Sequence, residues 1–248
     1  IVIHIEIMAA IGIKQPDALA PDNVQRLVVE QPVGWAEQRF TLLEQILTAH
    51  DIDAPIRCLY KMWTMLTVYS NDHQLHRGKY EFGDGQLLPC FETPERADLV
   101  LKSVREAKLG NIVEPEEFGL DPVLRIHDPG FVEFLGEAWD LWTAAGRTCD
   151  ALPLAWPVRG MRNIVPEHVD GKLSYYSFDG GSPIMSGTWQ AARTSANVAL
   201  TGAAHLRAGE HCVFSLCRPP GHHASSDYIG GYCYLNNAAI AAQSLLDE

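Results

Sequence analysis

The stretch His211-Cys212-Val213-Phe214-Ser215-Leu216-Cys217-Arg218-Pro219-Pro220-Gly221-His222-His223-Ala224 decides how the rest of the chain is read. Its first six residues, 211–216, form a short apolar run, which predicts a strand buried on both faces, central in its sheet and parallel to its neighbours. Open α/β sheets carry their sites beyond the carboxyl ends of strands, so chemistry is expected directly after Leu216. Pro219 and Pro220 stiffen that approach and Gly221 permits a sharp turn, while an extended backbone would send two adjacent imidazoles in different directions. One ring can then meet a water and the other a second part of the reacting centre, an arrangement suited to general acid/base work near neutral pH. On residue type alone, His222 and His223 are equally open to being a surface feature or half of a metal site.

The elements alternate on either side of this stretch. Downstream, the polar loop Gly230-Gly231-Tyr232-Cys233-Tyr234-Leu235-Asn236-Asn237 leads to a helix beginning near Ala238. Upstream lies an Ala-rich helix over 188–206, closed by Gly209. Residues 147–187 hold Pro153, Pro157, Pro166 and Pro183 with little periodicity; they read as an insertion, too long for a routine connection. Before it, Asp128-Pro129 starts a helix whose Phe131, Phe134, Leu135, Ala138, Trp139 and Trp142 form a core stripe. Another helix has Thr93 as N-cap, Pro94 in its first turn, Ala97, Val100, Leu101 and Val104 on one face, and Gly110 past its end. Leu66-Thr67-Val68-Tyr69 is a β-rich start after Met65. Residues 1–64 offer one amphipathic helix, with Phe40, Leu43, Ile46 and Leu47 on one face, and too little apolar surface for a core. They are expected to form a weakly structured appendage.

Composition narrows the function. Of 248 residues, 47% are hydrophobic and 20% charged, which suits a soluble globule. Nineteen Lys and Arg against 31 Asp and Glu give a net charge of −12, which disfavours nucleic acid and favours a cationic partner. No apolar run approaches the roughly 20 residues of a membrane span. Cys58, Cys90, Cys149, Cys212, Cys217 and Cys233 show no paired metal or redox spacing, and a reducing, cytoplasmic setting is expected. The chain begins at Ile1 and stops at Glu248 inside a helical pattern, so it is expected to be a piece of a longer protein.

The run Arg218-Pro219-Pro220-Gly221-His222-His223-Ala224, with Gly230-Gly231-Tyr232-Cys233-Tyr234-Leu235-Asn236-Asn237, resembles the signature of the histone deacetylase superfamily. Within it the chain is most similar to the bacterial acetylpolyamine amidohydrolases. Met65-Leu66-Thr67-Val68-Tyr69-Ser70 with Asp72-His73, Gly85-Gln86-Leu87-Leu88-Pro89 with Phe91-Glu92, Ala155-Trp156-Pro157-Val158-Arg159 and Gly187-Thr188-Trp189 resemble segments of that subgroup. The resemblance covers 65–248 and leaves 1–64 outside. It implies an α/β, three-layer arginase/deacetylase-like fold with a mainly parallel central sheet, cut before its C-terminal half, so that 65–248 is the N-terminal part of a catalytic domain.

The resemblance also implies roles. His222 acts electrostatically, and His223 is general base toward a zinc-bound water and then general acid toward the leaving amine. Gly231 and Tyr232 line the substrate tunnel, where an aromatic face favours a cationic chain; on residue type Tyr232 could equally be a half-buried core aromatic. Glu81 matches a rim acid, and with Asp170 and Asp179 it favours a cationic acetylated polyamine as substrate. The family's zinc ligands and catalytic Tyr are expected downstream of Glu248, leaving no metal ligand here and an inactive chain on its own. His73, His76, His127, His205 and His211 are too dispersed to replace them. Protein-lysine deacetylation and a non-catalytic truncated domain are the competing readings. A homodimer, if one forms, is expected to use 147–187.

Overall fold

The computed structural model describes residues 64–247 apart from Arg159 and Met161. The amphipathic helix and weak structure expected for the N-terminal segment therefore lie outside the described residues, except for Thr64. Three strands form a parallel sheet in the order β4-β1-β5: β1 (Leu66–Val68), β4 (Ile112–Val113) and β5 (Val213–Ser215). Thr67 aligns with Ile112 on one side and with Phe214 on the other. The parallel direction expected for 211–216 holds, but the central strand is β1. The strand of the apolar run is only three residues long and has no second neighbour among the described residues. Of its residues only Val213 is buried, because the cover that a central strand requires is present on one side alone.

Between β1 and β4 come a 3-10 turn (Asn71–Leu75), an antiparallel hairpin and a helix. The hairpin pairs β2 (Tyr80–Gly83) with β3 (Gln86–Pro89) around Asp84-Gly85, both with positive φ as a two-residue hairpin turn requires. Helix α1 (Pro94–Glu106) starts at Thr93 and buries Ala97, Leu101 and Val104. After β4 come the single turn α2 (Asp121–Leu124) and α3 (Pro129–Ala144), where the Asp128 carboxylate accepts the Phe131 amide at 3.0 Å. Helix α3 buries Phe131, Phe134, Leu135, Ala138 and Trp142, the stripe expected from the sequence, with Trp139 at its margin.

Residues 147–187, read from the sequence as an insertion, contribute to the core. They contain α4 (Val169–Tyr175) and an antiparallel bridge between Ala151 and Ile184, and they bury Leu173, Tyr176 and Ile184 in the main core. Their weak periodicity follows from a helix of seven residues that buries only Val169 and Leu173. Helix α5 (Thr188–Arg207) then crosses the sheet, with Val198 packed against Val68 and Val213. Small residues along it allow close approach, and a Cβ on Gly202 would meet the Ser215 hydroxyl. Helix α6 (Asn237–Leu246) lies along α5, with the Asn236 side chain accepting the Ala239 amide at 3.1 Å. The main core is built by α3, α4, α5, α6 and the 229–235 segment, so the loops after β5 are anchored from below by helices.

Candidate active site

The chain leaves β5 with the Leu216 amide bonded to the Val68 carbonyl at 3.0 Å and enters a loop that turns inward twice. The first inward residue is Arg218, buried with its Nε donating to Glu92 Oε1 at 2.9 Å and an Nη group donating to the His73 carbonyl. Burial pushes the Glu92 carboxyl up, and the guanidinium beside it opposes that shift. The Arg218–Pro219 peptide is cis. The Pro219 carbonyl then accepts from Ser195 of α5 at 2.8 Å and from Asn237 of α6 at 3.2 Å, which fixes the loop to two helices. The second close approach is Gly221, where a Cβ would lie 2.4 Å from the Leu235 carbonyl oxygen and 2.5 Å from the Asn237 nitrogen, so no other residue fits.

This anchoring presents His222 and His223, both exposed, from a turn. Their ring centroids are 4.2 Å apart with planes at 49°. The expected divergence of the two imidazoles is therefore corrected, because the backbone here is turned where an extended segment was expected, and neighbouring side chains in a turn come together. Both rings line a cavity of about 630 Å³ with Phe91, Arg96, Val100, Arg218, Gly231 and Tyr232 among its walls. Partial desolvation pushes the His222 pKa below the usual histidine value, and the charge of His223 beside it acts in the same direction. Cys217 also lines the cavity, but burial pushes its thiol up to about 12, so it is a small apolar wall with no thiolate to offer.

Gly231 and Tyr232 form the lip opposite the pair, both left-handed at φ +55 and +68. Gly231 has to be glycine, since a Cβ would come within 2.6 Å of the His223 ring. The Tyr232 hydroxyl donates to Glu81 Oε1 at 3.1 Å, so the structure brings together all five residues the sequence assigned to the site. The other Glu81 oxygen accepts the Phe91 amide at 3.0 Å, which ties the hairpin to the lip. Tyr232 is half-buried, and desolvation together with Glu81 pushes its hydroxyl pKa up. Asp170 is away from this cluster, in an ion pair with Arg147 at 2.7 Å, and Asp179 is bound to backbone amides.

The three buried histidines among the described residues are occupied elsewhere. His73 Nε2 meets the Tyr69 hydroxyl at 2.9 Å, His76 Nδ1 meets Thr188 Oγ1 at 3.0 Å, and His127 Nε2 accepts the Asn236 amide at 2.9 Å. Among the described residues no group of three His, Cys, Asp or Glu side chains could hold a metal ion. Sequence reasoning did not find the framework of Glu92, Ser195, Asn237, Asp179 and Ser182. An Arg inside an apolar, proline-bound run does signal a buried acid partner, but nothing local says that the partner lies 126 residues away.

Comparison with known proteins bears on this arrangement. The histone deacetylase domain model matches residues 90–248. Acetylpolyamine amidohydrolase 2 of Pseudomonas aeruginosa is 58% identical over 184 residues, covering 74% of this chain and 54% of its own length. The acetylpolyamine amidohydrolase of Mycoplana ramosa is 45% identical with the same coverage. The chain thus spans about half the length of the curated relatives it matches. The crystal structure of acetylpolyamine aminohydrolase from Burkholderia pseudomallei superposes with a TM-score of 0.69 at 35% identity, over 74% of this chain and 53% of that one. The α/β architecture described above is therefore that protein's fold over about half of its length.

Proposed function

The chain belongs to the histone deacetylase family, and from that premise we propose that it serves in the hydrolytic removal of acetyl groups from acetylated polyamines. The observation that carries this reading is the rigidly mounted His222–His223 pair facing a lip made of Gly231 and Tyr232, with Glu81 hydrogen-bonded to that tyrosine. A carboxylate and an aromatic face at one cavity mouth suit a cationic, flexible substrate, in keeping with the acidic balance of the chain.

Zinc, the metal implied by the family resemblance, does not fit the described residues, which supply no ligand set. We place the ligands in the half of the relatives' length that this chain does not span. What this chain supplies is proton handling. His223 takes a proton from the attacking water and returns it to the departing amine, while His222, tilted at 49° beside it, acts electrostatically on the reacting centre. The Gly231 backbone and the Tyr232 ring line the path of the substrate, and Glu81, bonded to that tyrosine, adds negative charge at the rim. The five described cysteines are free, and the setting proposed for the protein is reducing and cytoplasmic; no described helix is long and apolar enough to cross a membrane. Where the protein pairs with a second copy, 147–187 is the proposed surface.

A chimera tests the reading: residues 65–248 replace the corresponding half of the Pseudomonas aeruginosa relative. The expected result is at least tenfold higher kcat/KM on a small acetylated polyamine than on an acetyl-lysine peptide. The reverse preference favours a protein-lysine deacetylase, and a soluble, zinc-loaded but inactive chimera overturns the catalytic reading.

A further inference from the structure

The lip opposite His223 is held from outside by a segment that the catalytic reading does not use. Residues 177–182 run beside 229–232: the Ile229 carbonyl accepts the Phe178 amide at 3.0 Å, and the Phe178 ring fills the space where a Gly230 side chain would be. From this segment Asp179 sends one oxygen to the Gly231 amide at 2.7 Å and the other to the Gly181 amide at 3.0 Å. The buried Ser182 hydroxyl accepts the next amide, that of Tyr232, at 2.9 Å. The two successive left-handed residues thus give both their N–H groups to side chains of one neighbouring loop. A left-handed non-glycine residue such as Tyr232 is strained and persists only where its surroundings fix it.

We propose that Asp179 is a positioning residue: by holding the Gly231 amide it seats the glycine backbone against the His223 imidazole and sets Tyr232 across the cavity mouth. The bare Cα of Gly231 faces that ring so closely that any Cβ would collide with it, so a small shift of the lip changes the space around His223 directly. This assigns Asp179 a role different from that of a free acid waiting for a cation, since both of its oxygens are already engaged by amides. It rests on the proposed function only in treating His223 as the proton carrier.

The test needs no turnover. In the 248-residue chain, hydrogen–deuterium exchange of peptides covering 229–234 is followed by mass spectrometry, together with the rate at which diethyl pyrocarbonate modifies His223. Asp179→Ala is expected to speed exchange in 229–234 about tenfold and His223 modification severalfold, with exchange in α5 and β1 unchanged. Ser182→Ala is expected to loosen the lip less and leave the His223 rate near its starting value. Asp179→Asn, which keeps one acceptor and the shape, is expected to fall between, and it carries the test if the alanine variant does not fold. Changes within twofold in Asp179→Ala, equal loosening of α5 and β1, or an asparagine variant identical to the parent would each overturn the assignment. Because none of these readings depends on hydrolysis, an inactive chimera would sink the proposed function and leave this result standing.

Discussion

At the scale of single residues, the site rests on a buried ion pair. Arg218 and Glu92 are both buried and paired, so Arg218→Met leaves an unpartnered carboxylate in the interior. The expected loss is about 3–5 kcal/mol in urea unfolding, most of it recovered when Glu92→Leu is added, because an apolar pair needs no compensating charge. His76 gives a pH signature. It is buried against Thr188 and Tyr234, and burial lowers its pKa to about 3. Its folded-state pKa lies below its unfolded value near 6.5, so its contribution is complete above pH 6.5 and lost progressively from there down toward pH 3. Between pH 7 and pH 5 this residue alone removes about 2 kcal/mol, measurable by urea titration at the two values and largely absent in a folded His76→Phe variant. His73 and His127, also pushed down by burial, add to the same slope. In the chimera, His223→Ala is expected to lower turnover by about 10²–10⁴-fold without loss of zinc, and His222→Ala by less; near-normal turnover in both would demote the pair to a structural feature.

At the scale of elements, the sequence was readable where local signals are strong. Helices α1, α3 and α5 carry periodic apolar faces and marked ends, and they form where expected. The hairpin of β2 and β3 escaped notice because its strands are only four residues long and mostly exposed, which left the Asp84-Gly85 turn as its one local signal. The paired placement of His222 and His223 was unreadable for another reason: the turn is imposed by Gly221 fitting under Leu235 and Asn237, contacts that only the folded chain supplies. His222, His223, Gly231 and Tyr232 were easy to single out because they lie in two runs close in sequence, whereas Glu81 comes from the hairpin and their supports from α5, α6 and 177–182. Capping gives a direct check on α3. Removing the Asp128 carboxylate by Asp128→Ala frees the Phe131 amide and is expected to cost about 1 kcal/mol in urea unfolding.

At the scale of the whole molecule, the described residues form a helix-backed half of an α/β fold, and the His222–His223 pair stands in it without a metal-binding set among those residues. After dialysis against excess zinc and then buffer, the 248-residue chain is expected to retain well under one equivalent while the chimera retains one. Tight stoichiometric zinc in the chain alone would point to ligands among residues not described here. The sheet register has a further consequence, which concerns time. Strand β1 finds its β5 partner roughly 150 residues later, and Arg218 reaches back 145 residues to the His73 carbonyl. At a synthesis rate of about 5–20 residues per second, β1 spends roughly 7–30 s outside the ribosome with one edge unpaired. Nascent chains arrested before β5 emerges should stay open to proteolysis near residue 70, and those arrested beyond α6 should become resistant.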